Sequence, residues 1–253
     1  SSRGSRFGMA VNGNGEMMDA LAEAIELRGS RILLRTSCRK ILTADNIVTG
    51  VSATSKDRGE EIFEAAYVLS NAGPAQTVAL SGGRDKFDAD YLAKLDNFPH
   101  EAPIFHISFL TDAPLIKDFD GCLVFGNNKN LIYLEIPSLI SPIVSPPGRY
   151  LHTAFGAPTD AATGNLKDEL ENTLHELELN FPGKLEGAEF LVKAKHSGQS
   201  PGMHRWAGHM LPVITSIENL FNIGDGSATP GTIGTEGAAS SAREAADRIL
   251  QLY

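Results

Sequence analysis

Apolar and polar positions alternate along this chain with a period that changes several times, and each change marks an element. After Gly13-Asn14-Gly15, Met17, Leu21 and Ile25 recur every fourth residue and Gly29 closes the run. That spacing predicts a helix ending on a glycine C′ residue. Ile32 to Leu34 reads as a short apolar strand. Arg39 to Leu42, Ile47 to Ala53 and Glu61 to Ala65 are extended pieces, punctuated by Asp45-Asn46 and Asp57-Arg58-Gly59. Turn residues at those places predict a three-stranded β-meander. Tyr67 to Leu69 follows as a buried strand and runs into Ser70-Asn71-Ala72-Gly73-Pro74.

The middle has a different texture. Ile104 to Leu110, Leu131 to Ile136, Tyr150 to Phe155 and Ala188 to Lys195 alternate apolar and polar residues, as strands of an antiparallel sheet with one buried face do. One helix interrupts them, with Leu166, Leu170, Leu174 and Leu177 on one side and Pro182-Gly183 as its stop. Ser138 to Gly148 carries Pro142, Pro146 and Pro147 and is expected to be a rigid loop. At the end, Leu220 to Ile223 is a short strand that leads directly into Gly224-Asp225-Gly226. Pro230-Gly231-Thr232-Ile233-Gly234 then opens a helix from about Glu236 to Leu250, with Ala238, Ala242, Ala245 and Ile249 predicted on its packed face.

Charge narrows the partners. With 22 Lys and Arg against 31 Asp and Glu, the 253-residue chain has a net charge of -9. Its basic residues are scattered, whereas a phosphate-binding surface needs a basic stripe, so no nucleic-acid partner is expected. Two cysteines, Cys38 and Cys122, cannot build a disulfide framework, and a cytoplasmic, reducing compartment is the default. No apolar run reaches the length of a membrane helix, because Leu131 to Val144 is broken by Glu135, Pro137 and Pro142. Ser1 to Phe7 lack the apolar centre of a signal peptide.

The chemistry concentrates at the C-terminal run. A strand there delivers Gly224-Asp225-Gly226 to the carboxyl edge of a sheet, where α/β folds bind ligands. Glycines allow a tight turn and close backbone approach, and a carboxylate between them can accept from ribose or ribityl hydroxyls. The N-terminus of the Ala-rich helix can stabilise a nearby anion by roughly 0.3 to 2 kcal/mol. A glycine-rich turn without a ligand has the same spacing, so both readings stand on the residues alone.

The run "NLFNIGDGSATPGTIGTEGAASSAREAADRIL", Asn219 to Leu250, resembles the C-terminal flavin motif of phytoene desaturase-type oxidoreductases, within the amine-oxidase-like superfamily of FAD enzymes. Asn12 to Gln76, from "NGNGEMMDALAEAI" to "SNAGPAQT", resembles the same family, as does "IPSLISPIVSPPGRY", Ile136 to Tyr150. The resemblance implies FAD as cofactor, with Asp225 on its ribityl or pyrophosphate part and Gly224 and Gly226 beside it. It places Thr232, Ile233 and Gly234 against the flavin ring, with Gly231 beside them at the cofactor, and Asn71, Ala72 and Gly73 on the adenosine or pyrophosphate side. Cys38 stands where the family usually has Val, whose backbone faces the adenine. The implied reaction is hydride removal from an apolar, isoprenoid or polyene, substrate; no residue stands out as a catalytic base.

One departure is large. The family opens with a strand, a G-x-G-x-x-G turn and a helix; Gly13-Asn14-Gly15 imitates only its first half, since Met18 takes the third glycine position. The expectation is a partial Rossmann-like FAD-binding domain with a β-meander (residues 1–77 and 207–253) and an antiparallel-sheet substrate domain (78–206), in a mixed α/β fold. A separate N-terminal half and a peripheral membrane contact join the apolar small molecule as expected partners. The competing class is a non-catalytic holder of an apolar or prenyl ligand, built like the Rab GDP-dissociation inhibitors. An isolated domain without activity is the third.

Other motifs carry less. Gly198-Gln199-Ser200-Pro201-Gly202 matches the esterase elbow G-x-S-x-G, but Pro201 has no N–H for an oxyanion hole. His204 and His209 are five apart, which is not a metal-ligand spacing. His204 and Trp206 either line a substrate pocket or simply pack, and Phe105 and Phe109 read as sheet core.

Overall fold

The computed structural model describes residues 9–97, 103–119, 121–160, 165–196, 209–227, 231–232 and 234–251. In chain order the elements are α1 (Gly15–Leu27), β1 (Thr36–Ala44), β2 (Ile47–Ser55), β3 (Gly59–Glu64), β4 (Val68–Ser70), α2 (Pro74–Leu80), α3 (Ala89–Asp96), β5 (Ile104–Thr111), β6 (Cys122–Val124), β7 (Leu131–Glu135), α4 (Pro137–Ile140), β8 (Tyr150–Gly156), α5 (Leu166–Asn180), β9 (Glu189–His196), β10 (Leu220–Asn222) and α6 (Gly234–Leu250). The fold is mixed α/β with antiparallel sheets, as expected. It divides into two compact units, one of residues 1–32 and 103–197, the other of residues 33–102 and 198–253. Relative to the division read from the sequence, α1 groups with the large antiparallel sheet, and residues 78–102 group with the meander.

In the second unit the meander forms from its turns. Asp45 and Asn46 both take positive φ (49° and 62°), so Ala44 and Ile47 face each other across a two-residue hairpin, the backbone that matches the strand twist. A longer turn joins β2 to β3, with Ser55 opposite Gly59 (φ 73°). Ile41 and Val48 of this sheet pack with Val78, Phe87, Tyr91, Leu95, Leu211, Ile217 and Leu220. The helices α2 and α3, which the periodicity did not announce, cover that core. Proline at the first turn of α2 and Asp88 capping α3 through the Tyr91 N–H start them. Beside the meander, β10 and β4 form a two-stranded parallel sheet.

In the first unit five strands lie in the order β6-β7-β8-β5-β9, all antiparallel. Ile107, Phe109, Leu134 and Ala154 of this sheet share a core with Leu177 and Phe181 at the end of α5. Phe105 and Phe109 are fully buried, which makes them sheet core.

Two local expectations are corrected. Ile32 to Leu34 is not a strand: Leu34 and Arg35 (φ 52°) turn into β1, and no described strand lies beside them to take their hydrogen bonds. The stretch 138–148 is not simply a loop, since Pro137 and Pro142 start α4 and a 3-10 turn, Pro142–Val144. The helix α1 forms, but it buries no residue: Met17, Leu21 and Ile25 are 48%, 56% and 41% exposed. On α6 the expected Ala245 is buried and Ala238, Ala242 and Ile249 are half-buried, and Gly237 and Ser241 beside them are buried as well. Among the described residues, no helix is long and apolar enough to cross a membrane.

Candidate functional site

The parallel pair β4–β10 aligns Val68 with Leu220, Leu69 with Phe221 and Ser70 with Asn222. Parallel strands end on the same side, so the residues after each strand emerge together. The Ile223 N–H donates to the Ser70 carbonyl (2.9 Å) and extends the register one step. Two segments far apart in sequence, Asn71-Ala72-Gly73 and Gly224-Asp225-Gly226, thereby meet at one sheet edge. Contact is close: a Cβ built on Gly224 would lie 2.2 Å from Asn71 Oδ1, and Gly224 has a φ of 106°. Gly73 also sits at positive φ (87°) and begins α2.

Below the Asn71 segment, the Ser70 and Thr77 hydroxyls are 2.7 Å apart and buried. The Thr77 hydroxyl and its N–H both donate to the Gly73 carbonyl (2.9 Å each). Buried polar groups need partners, and here they tie the strand end to the first turn of α2.

The opposite segment is held by α6. Asp225–Ser227 is a 3-10 turn in which the Ser227 N–H donates to the Gly224 carbonyl (3.1 Å). The Leu211 N–H donates to the Gly226 carbonyl (3.0 Å). Gly224 N–H donates to Ser241 Oγ (2.8 Å), whose residue is fully buried. Asp225 itself is half-buried. At the edge of the site two buried polar atoms, Asn222 Oδ1 and Ser227 Oγ, have no hydrogen-bond partner among the described residues. The other end of the Asn222 amide donates to the Tyr91 hydroxyl.

The remaining expected residues are placed less centrally. Gly231 is exposed, Thr232 is half-buried with its hydroxyl 3.4 Å from that of Ser240, and Gly234 opens α6. Ile233, His204, Trp206 and the segment 198–202 lie outside the described residues. Cys38 is on β1, exposed, at a bulge between its pairing with Ala53 and that of Lys40 with Ser52. Partial covering of its sulfur pushes the thiol up, against a backbone hydrogen bond at Lys40. A raised thiol is a poor nucleophile, so its sulfur is not suited to covalent chemistry.

Asn222, Ser227, Tyr91 and Ser241 were not singled out from the sequence. For Ser241 a signal existed: Gly237, Ser241 and Ala245 are small residues four apart, the spacing of a helix face that lies against backbone.

Comparison with known proteins fits this geometry. The family described as flavin-containing amine oxidoreductases matches residues 2–250. Among solved structures, an oxidoreductase from Methanosarcina mazei is 26% identical with a TM-score of 0.83, covering 93% of this chain and 54% of its own. A protein from Pyrococcus furiosus is 21% identical with a TM-score of 0.70, covering 94% and 52%. Reduced UDP-galactopyranose mutase is 14% identical with a TM-score of 0.64, covering 95% and 52%; these last two likenesses concern the fold. The chain thus spans about half the length of these structures. No curated protein matches it.

Proposed function

The chain belongs to the flavin-containing amine oxidoreductase family, and from that premise we propose that it forms one wall of the cofactor site of an FAD-dependent oxidoreductase of the phytoene desaturase type. The observation that carries the reading is the meeting of Asn71–Gly73 with Gly224–Gly226 at the end of β4 and β10. A ligand with many hydroxyl and phosphate oxygens suits what surrounds that edge. Asn222 Oδ1 offers an unused acceptor and Ser227 Oγ an unused hydroxyl. Gly224 has no side chain to block approach, and Asp225 supplies a carboxylate for hydroxyl groups. The residues therefore fit FAD.

In this reading Asp225, with Gly224 and Gly226, binds the ribityl or pyrophosphate part. Gly231 to Gly234 lie along the flavin ring, and the start of α6 offers backbone N–H groups to developing negative charge. Asn71, Ala72, Gly73 and the Cys38 backbone take the adenosine side. When bound, the flavin supplies the two-electron acceptor, and the protein supplies position and electrostatics. The substrate class we propose is an apolar small molecule, isoprenoid or polyene, with peripheral membrane contact as its route of delivery. The G-x-G-x-x-G turn is not found in these 253 residues; a separate N-terminal half supplies it in this proposal.

Titration with FAD of the chain together with that N-terminal half, read by quenching of flavin fluorescence, tests the reading. Saturable quenching is expected, weakened about tenfold or more in Asp225→Asn, the scale of one or two lost charge-assisted hydrogen bonds. Equal quenching by the variant removes Asp225 from the site. No quenching by FAD at millimolar concentration overturns the flavin reading.

A further inference from the structure

We infer that Ser241 is a positioning residue for the flavin site: its hydroxyl locks the Gly224–Asp225 turn onto α6, so that the carboxylate and the helix stand as one rigid wall. The inference rests on the reading of Asp225 as a cofactor ligand, and it adds a residue that touches no ligand itself.

The argument begins with the hydrogen-bonding capacity of one hydroxyl, a single donor and two acceptor lone pairs. Ser241 Oγ lies 2.7 Å from the Ala238 carbonyl and 3.2 Å from the Gly224 carbonyl. Its one proton goes to the nearer acceptor, Ala238, one helical turn back. That bond to its own helix fixes the side-chain rotamer, and it aims a lone pair out of α6 at the loop. The Gly224 N–H, 2.8 Å away, donates to that lone pair.

Among the described residues nothing else could replace this acceptor cheaply. Gly224 is buried and so is Ser241, so water does not reach the N–H, and Gly237 and Ala245 on the same face are too small to offer a polar atom. The Gly224 carbonyl is meanwhile bonded by the Ser227 N–H. Both main-chain groups of the residue before Asp225 are thus fixed, one by the turn and one by the helix. Removing the Ser241 hydroxyl frees the N–H side, so the Ile223–Gly224 peptide that leads into Asp225 can rotate.

A role through Asp225 makes a prediction that a purely structural role does not. In Ser241→Ala, exchange of the Gly224 amide with deuterium accelerates, and the FAD dissociation constant rises by about three- to tenfold, the worth of one neutral hydrogen bond. In an Asp225→Asn background the same substitution has no further effect, because the two residues act as a unit. Ser241→Cys, which keeps a weak donor and acceptor, falls between wild type and Ala, and it decides the question if Ser241→Ala does not fold. An FAD dissociation constant within twofold of wild type in Ser241→Ala, or an equal loss in both backgrounds, overturns the inference while the flavin reading stands. A wild-type chain that does not bind FAD together with the N-terminal half overturns both.

Discussion

Gly224 and Asn71 meet so closely that a Cβ on the glycine would fall 2.2 Å from Asn71 Oδ1. This contact joins the ends of two parallel strands, β4 and β10, that lie more than a hundred residues apart in the chain.

Gly224→Ala tests how much of that join is backbone strain. The new methyl meets the far end of an exposed side chain, which can swing away, but φ at 106° remains costly for any L residue. A loss of about 1–3 kcal/mol in urea unfolding is expected. Adding Asn71→Ala should recover only the smaller part. Full recovery in the double variant would assign the cost to the clash instead of the backbone.

His152 makes the first unit sensitive to acid. The ring is fully buried, stacked on Phe109 at 4.9 Å between centroids. Its Nε2 accepts from the Leu115 N–H (3.1 Å), and its Nδ1–H donates to the Tyr150 carbonyl (3.0 Å). Burial lowers its pKa from 6.5 to about 4, against the carbonyls of Tyr150 and Phe109, which favour the proton. The unfolded chain therefore takes up a proton at a pH where the folded one does not. Stability from this group is complete above pH 6.5 and declines as pH falls to about 4, by about 3 kcal/mol in all. Urea midpoints measured across that range should fall less steeply for His152→Gln than for wild type, and parallel slopes would exclude His152 as the cause.

Glu176 holds the turn before β7. Its carboxylate accepts from the N–H groups of Lys129 (2.7 Å), Asn130 (2.9 Å) and Leu131 (2.7 Å). Burial works against the charge, yet these three bonds outweigh it and keep the carboxyl below its ordinary value of 4.5. Its contribution is present above pH 4.5 and lost as pH falls through the lowered value. Glu176→Ala leaves three donors unpaired and should cost about 1–3 kcal/mol at pH 7. Thermal melts of Glu176→Gln should lie between the two, since one oxygen remains an acceptor; a Gln variant as unstable as Ala would mean that the charge alone matters.

Elements with a strong local signal were legible in the sequence. The Asp45-Asn46 turn fixes its hairpin because both residues tolerate positive φ, and the leucine spacing of α5 fixes its buried side. The Ile32–Leu34 strand failed for the opposite reason, since a strand needs a neighbour and its own residues cannot supply one. The α6 face was legible at Ala245 and Ile249, but Gly237 and Ser241 on it were missed because small and polar residues carry no apolar signal. Small α2 and α3 were missed because they are capped locally and carry little periodicity.

Gly224-Asp225-Gly226 announced a tight turn through its composition alone, since glycine on both sides of a carboxylate is a local property of the chain. Its opposite number, Asn71-Ala72-Gly73, was named by resemblance, but that the two adjoin depends on the parallel register of β4 with β10. The partners that fix the turn, Ser241 from the helix and Asn222 beside Tyr91, likewise belong to tertiary structure. Hydrogen bonds among residues 17 to 131 positions apart leave no periodic trace, and only the folded chain brings their atoms within reach.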